Sequence, residues 1–214
     1  MRREGTTGQD EPLNAATLQQ LLTTTRFGRN LRLLTHTTST NDDAKILAAQ
    51  GAPEGTVVLA EAQSQGRGRQ GRGFASPGGV GIYLSLLLRP QVAASRLPQL
   101  TLLVAVAAAE AITEVCALPV HLKWPNDVEI RGKKVAGILT ECVFRPTLPL
   151  AVVVGIGINV NTRLEHLPPE LHQRVASLAL MAGHPFGRHE LIATLLAHLE
   201  RLYQTFKEVG MSPV

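Results

Sequence analysis

Between two apolar, strand-like stretches the chain reads Gln65-Gly66-Arg67-Gly68-Arg69-Gln70-Gly71-Arg72-Gly73, an alternation of glycine with arginine. Glycine lets the backbone fold closely around a ligand, and arginine offers planar, permanently charged donors that match carboxylate and phosphate oxygens. The segment therefore reads as an anion-binding flap. Gly66 to Gly71 also satisfies the G-x-G-x-x-G spacing of a dinucleotide-binding turn, but that fingerprint needs a helix directly after its glycines. Here Ser76-Pro77-Gly78-Gly79 leads into the strand-like Gly81-Ile82-Tyr83-Leu84-Ser85-Leu86-Leu87-Leu88, so the Rossmann reading fails on context. A solvated basic loop is the ordinary alternative, and an RNA-binding arginine-glycine tract another. Such tracts are usually long, repetitive and disordered, whereas this one is short and lies between apolar strands.

Three further segments place polar groups where a purely structural strand would avoid them. In Lys123-Trp124-Pro125-Asn126-Asp127 a turn presents an amide and a carboxylate beside a lysine, although asparagine and aspartate also form turns for their own sake. In Lys133-Lys134-Val135-Ala136-Gly137-Ile138-Leu139-Thr140-Glu141, strand alternation sends the adjacent lysines to opposite faces, so only one can enter a site. Gly137 inside that strand marks close approach by a ligand or another backbone. Val154-Gly155-Ile156-Gly157-Ile158-Asn159-Val160-Asn161 repeats the device, with glycines opening space and Asn159 offering both donor and acceptor. Together these segments describe a pocket lined by small residues, amides and at least two kinds of cation.

To hold them in place the sequence predicts an α+β fold, with a mixed, largely antiparallel sheet covered by helices on one side. Residues up to Asp10 read as a disordered leader and Leu13 to Thr24 as a short helix. Leu31 to His36 is a strand; Ser39 to Asp42 then carries helix N-cap chemistry, a Ser-x-x-Asp variant of the capping box, before Ala44 to Ala49. Gly51 ends that helix. Val57 to Ala62 enters the flap and Gly81 to Arg89 leaves it. A long helix from Pro98, rich in alanine and leucine, is the expected buried spine. Four strands follow, Val120 to Trp124, Val128 to Arg131, Lys134 to Phe144 and Leu150 to Val160. Their connections Pro125-Asn126-Asp127, Gly132-Lys133 and Pro146-Thr147-Leu148-Pro149 are short enough to make antiparallel neighbours. Two helices close the chain, the last with Leu191, Leu195, Leu199, Leu202, Tyr203 and Phe206 on one face.

With 214 residues the chain can bury a full core as one domain, or as a domain with a small appendage. Its 21 Lys and Arg against 17 Asp and Glu leave a net charge of +4, which permits phosphate-bearing partners without requiring nucleic acid. Base stacking needs exposed rings, and the flap has only Phe74 at its edge. Cys116 and Cys142 support neither a disulfide framework nor a cysteine-rich zinc site, which favours a reduced, cytoplasmic compartment. His184 and His189 lack partners at metal-ligand spacing. Met1 to Gly5 is basic but has no apolar signal core after it, and the strongest apolar run, Leu100 to Ala109, is too short to cross a bilayer. No membrane partner is expected.

Five motifs, in order and at matching spacing from Leu31 onward, closely resemble biotin protein ligases, enzymes that activate biotin as biotinyl-5′-AMP and transfer it to a carrier lysine. They are Ser39-Thr40-Asn41, the flap with Ser76-Pro77 and Tyr83-Leu84-Ser85, Lys123-Trp124-Pro125-Asn126-Asp127, Lys134-x-Ala136-Gly137-Ile138-Leu139-x-Glu141, and Gly155-x-Gly157-x-Asn159. The resemblance implies that Ser39, Thr40, Asn41 and Gln63 meet the ureido ring of biotin. It implies that Gly66, Arg67, Gly68 and Arg69 wrap its carboxylate together with Lys134, and that Gly137 leaves room for it. Arg69, Phe74, Lys123, Asn126, Asp127 and Asn159 would contact the nucleotide. Arg67, Arg69, Lys134 and Asp127 would carry the chemistry, with Mg²⁺ entering on the ATP phosphates and no dedicated protein site for it. The implied acceptor is the biotin carboxyl carrier domain of acetyl-CoA carboxylase, and a homodimer is compatible with the family.

Two departures from the family pattern stand out. The family commonly has tryptophan after the last basic residue of the flap, where this chain has Phe74, which keeps an aromatic wall but loses an indole N–H. Family members usually continue into a small C-terminal β-barrel, which is expected to be absent here and would weaken transfer more than biotin binding. Residues 1 to 30 are too few for the DNA-binding domain of the family's repressor members, so no DNA partner is expected. The alternatives are a lipoate or octanoyl transferase of the same superfamily and a non-catalytic nucleic-acid-binding protein that uses the basic flap.

Overall fold

A computed structural model of the chain describes residues 11–145 and 148–209. The leader expected up to Asp10 and the turn expected at Pro146 and Thr147 lie outside the described residues. Helix α1 (Ala15–Leu21) is shorter than the predicted Leu13 to Thr24. Asn14 caps its start, the side chain accepting from the Thr17 N–H at 3.0 Å, and Leu22 leaves helical geometry.

Strand β1 (Leu31–Thr37) runs through α2 (Thr40–Ala49) into β2 (Val57–Gln63), and the helical crossover makes the two strands parallel neighbours. The flap joins β2 to β3 (Gly81–Leu88), its antiparallel partner. After α3 (Gln99–Cys116) come β4 (His121–Lys123), β5 (Asp127–Ile130), β6 (Lys133–Arg145) and β7 (Leu148–Asn159), all paired antiparallel. β7 returns to lie against β3, which closes one seven-stranded sheet in the order β1-β2-β3-β7-β6-β5-β4. Helices α4 (Leu178–Ala182) and α5 (Arg188–Val209) end the described fold.

One face of the sheet carries the main core. Val57 and Leu59 of β2, Leu84 and Leu86 of β3, and Val154 and Ile156 of β7 pack with α3 and with the buried Leu191, Leu195, Leu199, Tyr203 and Phe206 of α5. With the turn before it, the α3 segment Ala94–Cys116 is long and apolar enough by composition to cross a bilayer, more so than the run Leu100 to Ala109 suggests. In the fold its Leu100, Val104, Ala108 and Ile112 are buried in this core.

The expectation of a sheet covered on one side is corrected here, because α2 lies on the opposite face. Ala44 and Ala48 of α2 pack against Val58, Leu87, Ala151 and Val153. Successive strand residues point to opposite faces, and every position of β3 is buried, so that strand requires cover on both sides. Helix α2 covers only part of its face. Beyond it most side chains on that face are small or polar, and the packing surface turns into a pocket floor.

Candidate active site

The floor consists of two cross-strand rows on the α2 face. Ser85 of β3 pairs with Gly155 of β7, which pairs with Leu139 of β6; in the next row Tyr83, Gly157 and Gly137 are partners, with Asp127 of β5 beyond. The glycines are required by what lies above them. A Cβ at Gly155 would collide with the Asn41 carboxamide oxygen, and one at Gly157 would lie 2.6 Å from the Phe74 ring. At Gly137 it would lie 2.9 Å from the end of the Lys134 side chain.

One wall is the start of α2. Ser39 occupies the N-cap position with extended backbone, yet its side chain makes no capping bond, and Asp42 pairs with Lys45 and Arg67 instead of turning back to Ser39. The capping-box reading is thereby corrected: a guanidinium is a stronger partner for Asp42 than the first-turn N–H groups. The helix is capped from another element, with the Thr40 N–H donating to the Gln63 Oε1 at 2.9 Å. Gln63 Nε2 then donates to Ser76 Oγ at 2.9 Å, and Ser76 donates to the Phe74 carbonyl at 3.0 Å. Asn41 is committed to the sheet, donating to Glu141 Oε2 at 2.7 Å and accepting from Ser85 Oγ at 2.6 Å. Its role is to hold α2 over the floor.

The opposite wall is cationic. Lys134 points inward, its Nζ 2.7 Å from Asp127 Oδ1 and 5.9 Å from the centre of the Phe74 ring. Among the described residues no donor is well aligned on the buried Asp127 Oδ1, so the contact is an ion pair more than a hydrogen bond. Lys133 turns to the other face and donates to the His172 carbonyl at 3.1 Å, as alternation predicts. The backbone of Lys134 is fixed by a passing segment, donating to the Arg174 carbonyl at 2.8 Å and accepting from Ala176 at 2.9 Å. Asn159 braces that segment, its Nδ2 donating to the Ala176 carbonyl at 3.1 Å.

The flap folds as a small hairpin over this floor. Arg67 bridges to Gly73, and Phe74 donates to the Gly66 carbonyl at 2.8 Å. The tip turns through Gln70 and Gly71, both with left-handed backbone, φ 58° and 73°. Phe74 lies edge-on to Tyr83, their centroids 6.4 Å apart. Beneath the flap the partly open cleft leaves about 40 Å³ for the centre of a water-sized molecule. Ligand pockets for small molecules measure about 300–1,000 Å³, so with Phe74 in this position the cleft is narrow.

Ser39, Thr40, Asn41 and Gln63 line this cleft with Arg67 and Gly68 of the flap, and Phe74, Asn126, Lys134 and Gly137 complete the predicted residues found there. Gly66 sits beneath the flap, where a Cβ would meet Ser76 and Gln63. Arg69 is exposed above the cleft and reaches Asn126 Oδ1 at 3.5 Å. Lys123 is exposed and pairs with Glu129 at 2.7 Å, a bond that also raises its pKa. Asp127 and Asn159 act on the cleft through Lys134. Sequence reasoning gave no role in the cleft to Ser85, Glu141 or Asp42. Ser85 carried a readable signal, a lone hydroxyl in an otherwise apolar strand that must find a partner once buried. Burial pushes the Cys116 thiol up to about 12, which removes it as a nucleophile at neutral pH.

The arrangement pairs an amide and hydroxyl end with a cationic end across a glycine floor, and known proteins resemble the chain that builds it. Residues 33–159 match the biotin/lipoate A/B protein ligase family. The chain is 42% identical over 176 residues to the bifunctional ligase/repressor BirA of Bacillus subtilis, which covers 82% of this chain and 54% of that protein. It is 37% identical over 195 residues to the biotin-(acetyl-CoA-carboxylase) ligase of Mycobacterium tuberculosis, covering 88% of this chain and 70% of that one. Among solved structures it is similar to the biotin protein ligase of Aquifex aeolicus in complex with biotin and ATP, with a TM-score of 0.75 and 35% identity over 85% of this chain and 73% of that chain. The chain spans little more than half the length of its Bacillus relatives, 54% and 59%. By the match of more than half its residues to the family and by these identities, the chain is a member of the biotin/lipoate A/B protein ligase family.

Proposed function

We propose that this cleft binds biotin and MgATP, forms biotinyl-5′-AMP with release of pyrophosphate, and passes biotin to a lysine of a carrier domain. The observation that carries the reading is the polarity of the cleft: hydroxyls and amides at the α2 end, and the inward Lys134 at the other, with glycines between. Biotin has the matching polarity, a neutral ureido ring, an apolar body and a carboxylate. The similarity to the Aquifex ligase in complex with biotin and ATP supports the same pairing. The acceptor proposed is the biotin carboxyl carrier domain of acetyl-CoA carboxylase, after the carboxylase for which the Mycobacterium relative is named.

Activation needs no enzyme nucleophile. The biotin carboxylate attacks the α-phosphorus in line, and the obstacle is repulsion between two anions. Lys134 and Arg69 lower it by positioning and by stabilising charge that develops as the groups meet. Mg²⁺ is part of the ATP substrate in this reading. Asp127, paired with Lys134, keeps the ammonium aimed into the cleft. The flap, once closed over the adenylate, keeps water from the reactive anhydride.

The family name also covers lipoate. Ser39, Thr40 and Gln63 make that end of the cleft polar, and covering it with an apolar dithiolane that can hydrogen-bond to none of them is costly, so the polar end favours the ureido ring. Competitive calorimetry separates the two. Biotin should bind, with lipoate and octanoate weaker by at least about a hundredfold; lipoate binding as tightly as biotin would overturn the assignment.

A further inference from the structure

Two of the flap's three arginines, Arg67 and Arg69, are held differently. Arg67 Nη2 contacts Asp42 Oδ1 of α2 and lies 3.9 Å from Glu141 Oε2 of β6. Lys45 closes the ring, 2.5 Å from Glu141 Oε1 and 3.4 Å from Asp42 Oδ1. Two carboxylates and two cations thus alternate around one rim of the cleft. Glu141 is fixed further by Asn41, which holds α2 to the floor. Arg69 is exposed and, among the described residues, reaches only the neutral Asn126 amide.

We propose that Arg67 is the anchor of the flap, a positioning residue clasped by Asp42 and Glu141, and that the flap's charge toward the substrate is carried by Arg69. This rests on the activation reading given above. For Arg67 to reach a substrate anion it would have to leave two carboxylates, one of which meets it directly. The hydrogen bond from Arg67 is also the main cause that holds the Asp42 carboxyl below its usual range. Arg67 stands at the root of the flap hairpin, bridged to Gly73, and is followed by Gly68, which lines the cleft. Clasping the root lets the tip from Gly68 to Arg72 swing while its base stays in register with α2 and β6. Exchanging the charges of Asp42 and Arg67 alone would set like charges against Lys45 at 3.4 Å and Glu141 at 3.9 Å, so the pair is probed by neutralising its members singly and together.

Neutralising the pair tests this. Biotin-dependent pyrophosphate release by the unmodified chain comes first; its absence would count against the activation reading and not against the anchor. Arg67→Gln and Asp42→Asn should each lower that rate by a similar factor, and the double variant should be no more than about twofold slower than the slower single one, because losing either member already breaks the contact. A double variant in which the two losses multiply would mean that the charge of Arg67 serves the substrate, and would overturn the anchor. Asp42→Asn and Arg69→Gln, which do not touch, should multiply; a non-additive pair there would also overturn it. Arg67→Gln should also quicken tryptic cleavage after Arg69 and Arg72, with the loss of activity falling on kcat more than on the KM for biotin. Unchanged cleavage with a raised KM would place Arg67 on the substrate and overturn the anchor.

Discussion

A lysine whose ammonium lies over a glycine floor and a lysine whose ammonium reaches a surface carbonyl differ in what they can do, and β6 carries one of each at successive positions. Lys134 has Asp127 at 2.7 Å and Gly137 beneath it, whereas Lys133 has the His172 carbonyl. Lys134→Ala should therefore cripple adenylate formation, while Lys133→Ala leaves it within about twofold, the scale of an ordinary surface substitution. Equal losses, read by pyrophosphate release, would mean the face is misassigned. Arg69 is the less restrained flap cation. Arg69→Ala should cost roughly 2–4 kcal/mol in the activation barrier, the scale of one charge-stabilising donor, with a much smaller effect on biotin binding. A variant that forms adenylate at the normal rate would remove Arg69 from the chemistry. The inward turn of Lys134 was legible in the sequence because strand alternation admits only two faces. The pairing of Arg67 was not, because its carboxylate partners come from α2 and β6, distant in the chain.

The row Ser85, Gly155 and Leu139 shows how one strand position couples a helix to a sheet. Asn41 fits over Gly155 only because no Cβ is there, and it carries the start of α2 with it. Gly155→Ala should push α2 off the floor, destabilising the fold by about 1–3 kcal/mol and weakening biotin binding along with it. Normal melting and normal affinity in that variant would show that Asn41 does not hold the wall. Helix α5 has a different coupling at its first turn. His189 accepts the Asn14 N–H at 2.9 Å, which requires an unprotonated Nε2, and burial holds its pKa below the ordinary 6.5. Its contribution is complete above that ordinary value and is lost as pH falls through the lowered one. Between about pH 7.5 and about pH 5.5 the melting temperature should fall more for the unmodified chain than for His189→Gln. Parallel curves would rule this contact out as a source of acid sensitivity. The sequence gave no sign of the contact between His189 and Asn14, since nothing local records which backbone N–H a side chain will meet.

For the chain as a whole, local patterns read well and long-range ones poorly. The strands from β4 to β7 were readable as antiparallel neighbours because short turns leave no other geometry. The parallel pairing of β1 with β2 and the placing of α2 on the far face depend on distant contacts. The buried run of β3, apolar on both sides, was the one clue to the latter. The site followed the same division: glycines, amides and lysines were visible as motifs, while Ser85, Asp42 and Glu141 gain their roles only once α2, β3 and β6 meet. That meeting makes a cleft with a neutral polar end and a cationic end, and the chemistry proposed for it leaves a definite product. Incubation of the chain with biotin and MgATP, followed by mass spectrometry, should show biotinyl-5′-AMP and pyrophosphate in equal amounts, with Lys133→Ala matching the unmodified chain and Lys134→Ala forming almost none. Biotin and ATP recovered unchanged from the unmodified chain, or an adenylate formed from lipoate instead, would contradict the assignment.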